Sequence, residues 1–550
     1  MVHTPFTDET LLFEPAVPNG DALSVIFAFP NEYSVGITSL GYQVVWATLA
    51  RRADVDVARL FTDCHEPLPT RSDLLGFSLS WELDYRNLLT LLESLDIPRR
   101  AADRQNEHPL VFGGGPVLTA NPEPFADFFD VILLGDGEHL LDDFVDCARQ
   151  VASADRATRL KALAQVPGVY VPSLYHVTYA GPEGQIEKIE PTDGDVPAVV
   201  HKQTYRGNTL SVSTVVTERA AWENIYMVEV VRSCPEMCRF CLASYLTLPF
   251  RTANLEQSLL PAIERGLKVT DRIGLLGASV TQHPEFDALL DHLNHPQFDD
   301  IRLSIASVRT NTVNAKLAET LTRHGTRSIT IAVESGSERM RQIVNKKLTT
   351  DEIIQAAINA KAGGLSALKL YGMAGVPGET AADLDATVDM MAQLKKAAPG
   401  LRLTLGCSTF VPKAHTPFQW YGVNPKADQR LKQLQKQLRP KGIDFRPESY
   451  NWSVIQALIS RGDRRLATLL EHTRHYGDSL GSYKRAFKAL KGQLPPLDYY
   501  VHEDWPLDQV LPWDHLAGPL PKAKLQDHLA TAQTVMAPAA AVAIAETQGN

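Results

Sequence analysis

Cys234-Pro-Glu-Met-Cys238-Arg-Phe-Cys241 places three cysteines within eight residues, spaced C-x3-C-x2-C. Three thiolates on so short a loop can hold three irons of a four-iron cluster. The fourth iron then stays open to a small chelating molecule, which a cluster closed by four cysteines cannot offer. Zinc sites favour four closed ligands in C-x2-C pairs, and no fourth ligand stands at such a spacing here. The loop directly follows Tyr226–Ser233, which reads as a strand. Further strands are predicted at Arg272–Ala278, Arg302–Arg309, Ser328–Ser335, Ala367–Gly375 and Arg402–Val411. Amphipathic helices are predicted between them at Leu255–Leu267, Pro284–His295, Asn314–Gly325, Thr350–Gly363 and Ala381–Ala397. Six such strands, with helices between them, suit a partial (βα)6 barrel, with chemistry gathered at the carboxyl ends of the strands. Lys369 and Tyr371 alternate with apolar residues on the fifth strand. They are expected to point into the barrel, as the candidate catalytic contacts to substrate or cofactor.

Upstream, short apolar runs alternate with amphipathic stretches from Ala22 to about Val151. Ala22–Pro30, Val55–Phe61, Leu74–Ser80, Pro109–Phe112 and Val131–Leu134 read as buried strands. Ser39–Arg52, Glu82–Leu95, Pro122–Phe129 and Glu138–Val151 read as helices. The alternation predicts an α/β fold with a doubly wound parallel sheet, which binds ligands beyond its strands' carboxyl ends. Two glycine loops lie there. Gly113-Gly114-Gly115 lets backbone approach a bulky ligand, and Gly135-Asp136-Gly137-Glu138 opens a helix. Tight turns alone would also explain these glycines. Residues 1–171 thus form the first unit and 172–222 a β-rich connector. Residues 223–424 form the barrel, 425–520 a mainly helical region, and 521–550 a disordered tail. In the helical region Pro425–Leu438 and Trp452–Tyr476 carry apolar residues at helical spacing. Arg461, Arg464 and Arg465 suit salt-bridged packing better than phosphate.

The six cysteines exclude a disulfide framework at this length. No apolar run reaches the ~20 residues of a membrane span, and the N-terminus lacks a signal-peptide series. A cytoplasmic protein is expected. The net charge of −10, with both signs interspersed, gives no overall basic footprint for nucleic acid, though a local RNA groove stays open.

The cysteine spacing, with the aromatic Phe240 before the last cysteine, resembles the loop of the radical SAM superfamily. That resemblance implies a 4Fe–4S cluster on Cys234, Cys238 and Cys241, and S-adenosylmethionine held at the open iron. Reductive cleavage of its sulfonium then gives a 5′-deoxyadenosyl radical. It also implies a reducing partner of flavodoxin or ferredoxin type. Gly277-Ala278-Ser279 occupies the place of the family's Gly-Gly-Glu, so Gly277 keeps the backbone contact while the acid is missing. Ser307 and Arg309 end the third strand and Glu334 the fourth, where relatives contact the ribose and carboxylate of SAM. An arginine suits a carboxylate, and a glutamate suits hydroxyls or an ammonium. Gly375 and Pro377 shape a turn that supports adenine in relatives, and Glu379 is expected to cap the following helix.

An open sheet before this core, carrying Phe77-Ser78-Leu79-Ser80, the triple glycine and Gly-Asp-Gly-Glu in that order, is similar to a cobalamin-binding domain. The likeness places Ser78 and Ser80 near the nucleotide tail, Gly113, Gly114 and Gly115 beside it, and Glu138 after the last strand. The family's Asp-x-His-x-x-Gly is not met: Asp63-Cys64-His65-Glu66-Pro67-Leu68 ends in leucine and His65 lies only 13 residues before Ser78. Strings such as Glu334-Ser335-Gly336-Ser337-Glu338-Arg339 and His415-Thr416-Pro417-Phe418 extend the resemblance to cobalamin-domain radical SAM proteins over about residues 22–520. The barrel also resembles methylthiotransferases, whose separate N-terminal cluster cysteines are absent. The implied function is cobalamin-dependent radical SAM catalysis, such as methylation of an unactivated carbon. The alternatives are a radical SAM enzyme without cobalamin acting on RNA or a small molecule, and a non-catalytic iron–sulfur scaffold.

Overall fold

The computed structural model describes residues 5–306 and 308–537. The N-terminal sheet contains β1 (Leu23–Ala28), β2 (Val55–Leu60), β3 (Leu74–Ser78), β4 (Leu110–Gly114), β5 (Val131–Leu133) and β6 (Val169–Tyr170), in the order β2-β1-β3-β4-β5-β6. The first five are parallel and β6 closes the edge antiparallel to β5. The strand sequences are apolar on both faces because both faces are covered. Val25, Phe27 and Phe112 pack into one core, while Ile26, Phe77 and Val111 pack into another. The order of strands reverses between β1 and β3, and that switch point opens a crevice above the strand ends.

The barrel begins with β7 (Ile225–Glu229), β8 (Arg272–Leu276) and β9 (Arg302–Ile305), and continues with β10 (Ser328–Glu334), β11 (Ala367–Ala374) and β12 (Arg402–Thr409). All neighbours are parallel, and a single parallel bridge from Val308 to Ile331 joins the two halves. Two features depart from the expected barrel. A seventh parallel strand, β13 (Asp444–Pro447), adds to β12. The first strand stops at Glu229, after which Val231–Arg232 turns away to pair with Arg251–Thr252. The connector is β-rich, with the hairpin Tyr175–Tyr179 against Ile186–Pro191.

The C-terminal region corrects two further expectations. Trp452–Tyr476 is two helices, Tyr450–Arg461 and Leu466–Thr473, broken where extended Gly462 leads into Asp463. The 521–550 tail contains the helix Lys522–Met536, whose Leu525, Leu529 and Ala532 are buried on the helix Glu338–Ile343. Residues 538–550 lie outside the described part. Pro122–Phe129 forms a 3-10 segment, Glu123–Phe128, in place of an α-helix.

These helices share the core that covers one face of the N-terminal sheet. Buried polar ties cross the same boundary. Arg464 pairs with Glu123 at 3.1 Å and donates to the Tyr170 hydroxyl. Tyr85 meets Thr473 and Tyr483 at 2.7 and 2.9 Å, and Lys413 pairs with Glu82. Arg461, fully buried, stacks on Trp505 and donates to backbone carbonyls, so these arginines are interior ties. Trp513 is buried and donates to Gln419, anchoring the interface. No helix among the described residues is long and apolar enough to cross a membrane.

Candidate active site

The cysteine loop leaves the carboxyl end of the first barrel strand and is held from several sides. Ser233 and Met237 adopt positive φ, 72° and 57°, backbone strain that persists only when neighbours over-determine it. The turn at 343–347 supplies that constraint. Asn345 donates to the carbonyls of Glu236 and Met237 at 3.1 and 2.8 Å, and Arg239 donates to those of Gln342 and Ile343. Tyr245 donates to the Met237 carbonyl and meets His528 of the C-terminal helix at 2.8 Å.

Burial pushes the Cys238 thiol up to about 12, with Cys241, Glu334 and Cys234 adding and Lys346 opposing. Burial also raises Cys241, against the N–H groups of Ala243 and Ser244. The three thiols therefore lie close enough to feel one another's charge. Among the described residues no three His, Cys, Asp or Glu side chains converge as they would around a single metal ion. A sheltered set of three soft thiol donors fits an iron–sulfur cluster, whose binding must expel their protons. Phe240 is half-buried and packs with Met237 and Met373 against the core beside the loop.

Around this loop the strand-end residues form closed charge networks. Gly277 has φ +149°, and a Cβ there would stand 2.5 Å from the Val231 carbonyl oxygen, so only glycine fits. Ser279 donates to Gln282 at 2.5 Å, and Gln282 donates to Glu236 at 2.6 Å. Arg309 pairs with the same Glu236 at 3.0 Å and also reaches the carbonyls of Lys346 and Lys347. Glu334, at φ +65°, pairs with buried Lys346 at 2.9 Å. Ser307 lies outside the described residues. On β11, Leu368, Leu370 and Ala374 face the helices. Lys369 and Tyr371 alternate with them onto the opposite, inner face, where Tyr371 is 57% exposed. Gly375 takes φ +78°, and its N–H donates to Glu379 at 2.8 Å. Glu379 also pairs with Arg430, while Thr380 and Asp383 form the capping box of the next helix. Glu379 therefore braces the turn, and capping falls to its neighbours.

At the carboxyl ends of β1, β3 and β4 lies a cavity of about 460 Å³. Its body is apolar, lined by Phe27, Val44, Phe77, Phe112, Leu133 and Leu141. Ser78, Ser80, Gly114, Gly115 and Glu138 line it as well. Gly113 does not: a Cβ there would strike the Phe129 ring at 2.5 Å, so this glycine serves packing beneath the sheet. The rim comes from other segments, namely Lys202 of the connector, Arg232 two residues before Cys234, and Leu246 and Thr247 after the cysteine loop. Arg232 pairs with Glu138 and Glu229, both at 2.7 Å, and Arg251 pairs with Asp136 at 2.5 Å. The cavity thus opens against chain that flanks the cysteines. No histidine among the described residues lines it. His65 sits in a loop bridged to Leu60, with its Nδ1 2.7 Å from the Glu66 carbonyl oxygen.

Residues 228–391 match the family model described as the radical SAM superfamily, and residues 46–172 match that of radical SAM proteins, N-terminal. This chain belongs to the radical SAM superfamily. Membership makes it an enzyme whose cofactors are a 4Fe–4S cluster and SAM, with an electron donor required. An uncharacterized protein of Methanocaldococcus jannaschii is 26% identical over 469 residues, 84% of this chain and 94% of the relative. An uncharacterized methyltransferase of Pyrococcus horikoshii is 25% identical over 310 residues, 54% of this chain and 60% of the relative. Among solved structures, the cobalamin-dependent SAM radical enzyme OxsB with aqua-cobalamin bound is 13% identical, with a TM-score of 0.49 over 94% of this chain and 72% of that one. The radical SAM methyltransferase TsrM of Kitasatospora setae, with cobalamin and a 4Fe–4S cluster bound, is 15% identical. Its TM-score is 0.48, over 72% of this chain and 77% of that one.

Several residues around the cysteine loop carry little signal in the sequence. Glu236, Gln282, Asn345 and Lys346 are ordinary polar residues until the barrel brings the second, third and fourth strand ends around the loop. Lys202 and Arg232 reach the cavity only because the connector and the diverted first strand cross its mouth. Glu236 sits inside the C-x3-C spacing, and its place there was the one available hint.

Proposed function

We propose that this radical SAM enzyme is cobalamin-dependent and transfers a methyl group to an unactivated carbon. One observation carries the reading: an apolar cavity at the topological switch point of the first sheet opens on residues flanking the cluster loop. Its apolar, ring-lined body suits the heterocyclic tail of a corrinoid, and its polar rim suits the amide-bearing macrocycle. The name of the Pyrococcus relative supports methyl transfer as the outcome.

When bound, the cluster and SAM supply a 5′-deoxyadenosyl radical, and the corrinoid supplies a transferable methyl group. The chain's own residues bind, orient and shield. Cys234, Cys238 and Cys241 would hold the irons, with Phe240 beside them. Gly277 presents backbone to the amino group of SAM. Arg309, on leaving Glu236, would neutralise its carboxylate; Glu334, on leaving Lys346, and Ser307 would serve the ribose, and Gly375 the adenine. Ser78, Ser80, Gly114, Gly115 and Glu138 hold the tail side of the corrinoid in the unit of residues 1–171. Lys369 and Tyr371, on the inner wall of the unit of residues 223–424, contact the substrate. The helices after 425 close the mouth against water.

Anaerobic reconstitution with iron, sulfide and hydroxocobalamin, followed by removal of free cofactor, tests this. Near-stoichiometric cobalamin and reductant-dependent 5′-deoxyadenosine are expected. An intact, SAM-cleaving cluster without retained cobalamin would overturn the corrinoid half.

A further inference from the structure

Two cations, Lys202 and Arg232, line the rim of the cavity, and Arg251 stands behind them on the lining residue Asp136. Arg232 is surrounded by Glu138, Glu229 and Asp136, and Arg251 by Asp136 and the Tyr205 carbonyl. Lys202 has no such partner. Its ammonium contacts the Thr204 hydroxyl at 3.3 Å, and no carboxylate among the described residues stands within ion-pair distance of it.

The backbone that carries Lys202 is fixed from both sides. Its N–H donates to the Ala517 carbonyl, next to the parallel pairing of Val200–His201 with Leu516–Ala517. The following residue, Gln203, exchanges backbone hydrogen bonds with Leu134 and Asp136. The side chain is therefore directed into the cavity by pinned backbone. Burial lowers its pKa, and Arg251 and Arg232 add to that, against a longer-range pull from Asp136. A largely desolvated cation without a counter-ion is unfavourable until an anion arrives.

We propose that Lys202 is the anion anchor of this cavity and selects a ligand in which an apolar ring is joined through a phosphodiester. Resting on the corrinoid reading above, the ligand is a complete corrinoid with its nucleotide tail. The ring fills the pocket of Phe27, Phe77 and Phe112, and the phosphodiester meets the ammonium at the rim. A tail-less corrinoid such as cobinamide brings neither group. Lys202 is thus a specificity residue, remote from the reacting atoms.

The test measures retention of hydroxocobalamin and of dicyanocobinamide by absorption spectroscopy, using full-length protein with its cluster reconstituted. Wild type, Lys202→Met and Lys202→Arg are compared, with thermal unfolding confirming that each is folded. A charge-assisted hydrogen bond is worth about tenfold in affinity. Wild type should therefore favour cobalamin over cobinamide by about tenfold or more. Lys202→Met should lose about tenfold for cobalamin and nothing for cobinamide, and Lys202→Arg should recover most of the loss. Equal retention of both corrinoids by wild type, or an undiminished preference in Lys202→Met, would overturn the assignment while leaving the corrinoid reading intact. Retention of neither by wild type would overturn both.

Discussion

Individual residues show how chemistry and burial divide the work of this site. Cys238 is the most enclosed of the three thiols, so its loss removes a ligand that water cannot replace cleanly. Cys238→Ala should reconstitute without the cluster's visible absorption and form no 5′-deoxyadenosine. A variant with full SAM cleavage would refute the ligand assignment. Arg464 illustrates the structural counterpart. Its partner Glu123 is fully buried, and desolvation alone would raise that carboxyl. Arg464, His515 and Tyr170 together pull it below the ordinary range. Arg464→Met leaves the carboxylate buried and unpaired, which should destabilise the fold by about 3–5 kcal/mol. Denaturant titration measures this, and a loss below about 1 kcal/mol would show that Glu123 finds another partner. The cysteine triplet stands out in the sequence by its spacing and its place after a strand. Glu236 and Lys346 do not, because their roles depend on residues far along the chain.

At the scale of elements, the C-terminal helix Lys522–Met536 is the informative case. Its alanine-rich surroundings read as a tail, yet Leu525 and Leu529 at i,i+4 form a short apolar stripe. That stripe is buried on Glu338–Ile343, and His528 reaches Tyr245 beside the cluster loop. Ending the chain after Pro521 should remove about 4 kcal/mol of burial, counting two leucine side chains. It should also lower the iron retained after reconstitution, since Tyr245 holds the Met237 carbonyl. Unchanged stability and iron content would restore the tail reading. The barrel strands were read well because each is a short apolar run between helices. The seventh strand, Asp444-Phe445-Arg446-Pro447, escaped notice because its residues are mostly polar and one is proline. It is an edge strand, where both are tolerated.

For the whole molecule, the interface between the first sheet and the C-terminal helices sets the response to acid. His415 and His515 are buried there, and burial lowers both to about 4. His515 faces Glu123, Arg464, Tyr170 and Tyr175. In the unfolded chain an imidazole titrates near 6.5. Between about 6.5 and 4 the unfolded state binds more protons, so acid favours unfolding. The contribution is complete above about 6.5 and fades as pH falls toward 4. Thermal unfolding followed from pH 7 to pH 5 should show a falling Tm, and His515→Phe should flatten that fall. A Tm independent of pH over this range would contradict the burial of neutral imidazoles.

The sequence by itself showed the cysteine triplet and the strand–helix alternation of the two α/β sheets, in their order along the chain. Those properties rest on local spacing and on the periodicity of apolar residues, which act over a few turns of chain. Only the tertiary structure decided which polar groups meet. It sent Gly113 into packing and Gly114 into the cavity, and turned Glu379 from a helix cap into a brace for the Gly375 turn. It carried Lys202 and Arg232 to the same rim, 30 positions apart. Charge pairing and cavity shape are sums over segments distant in sequence, and folding alone brings those segments together.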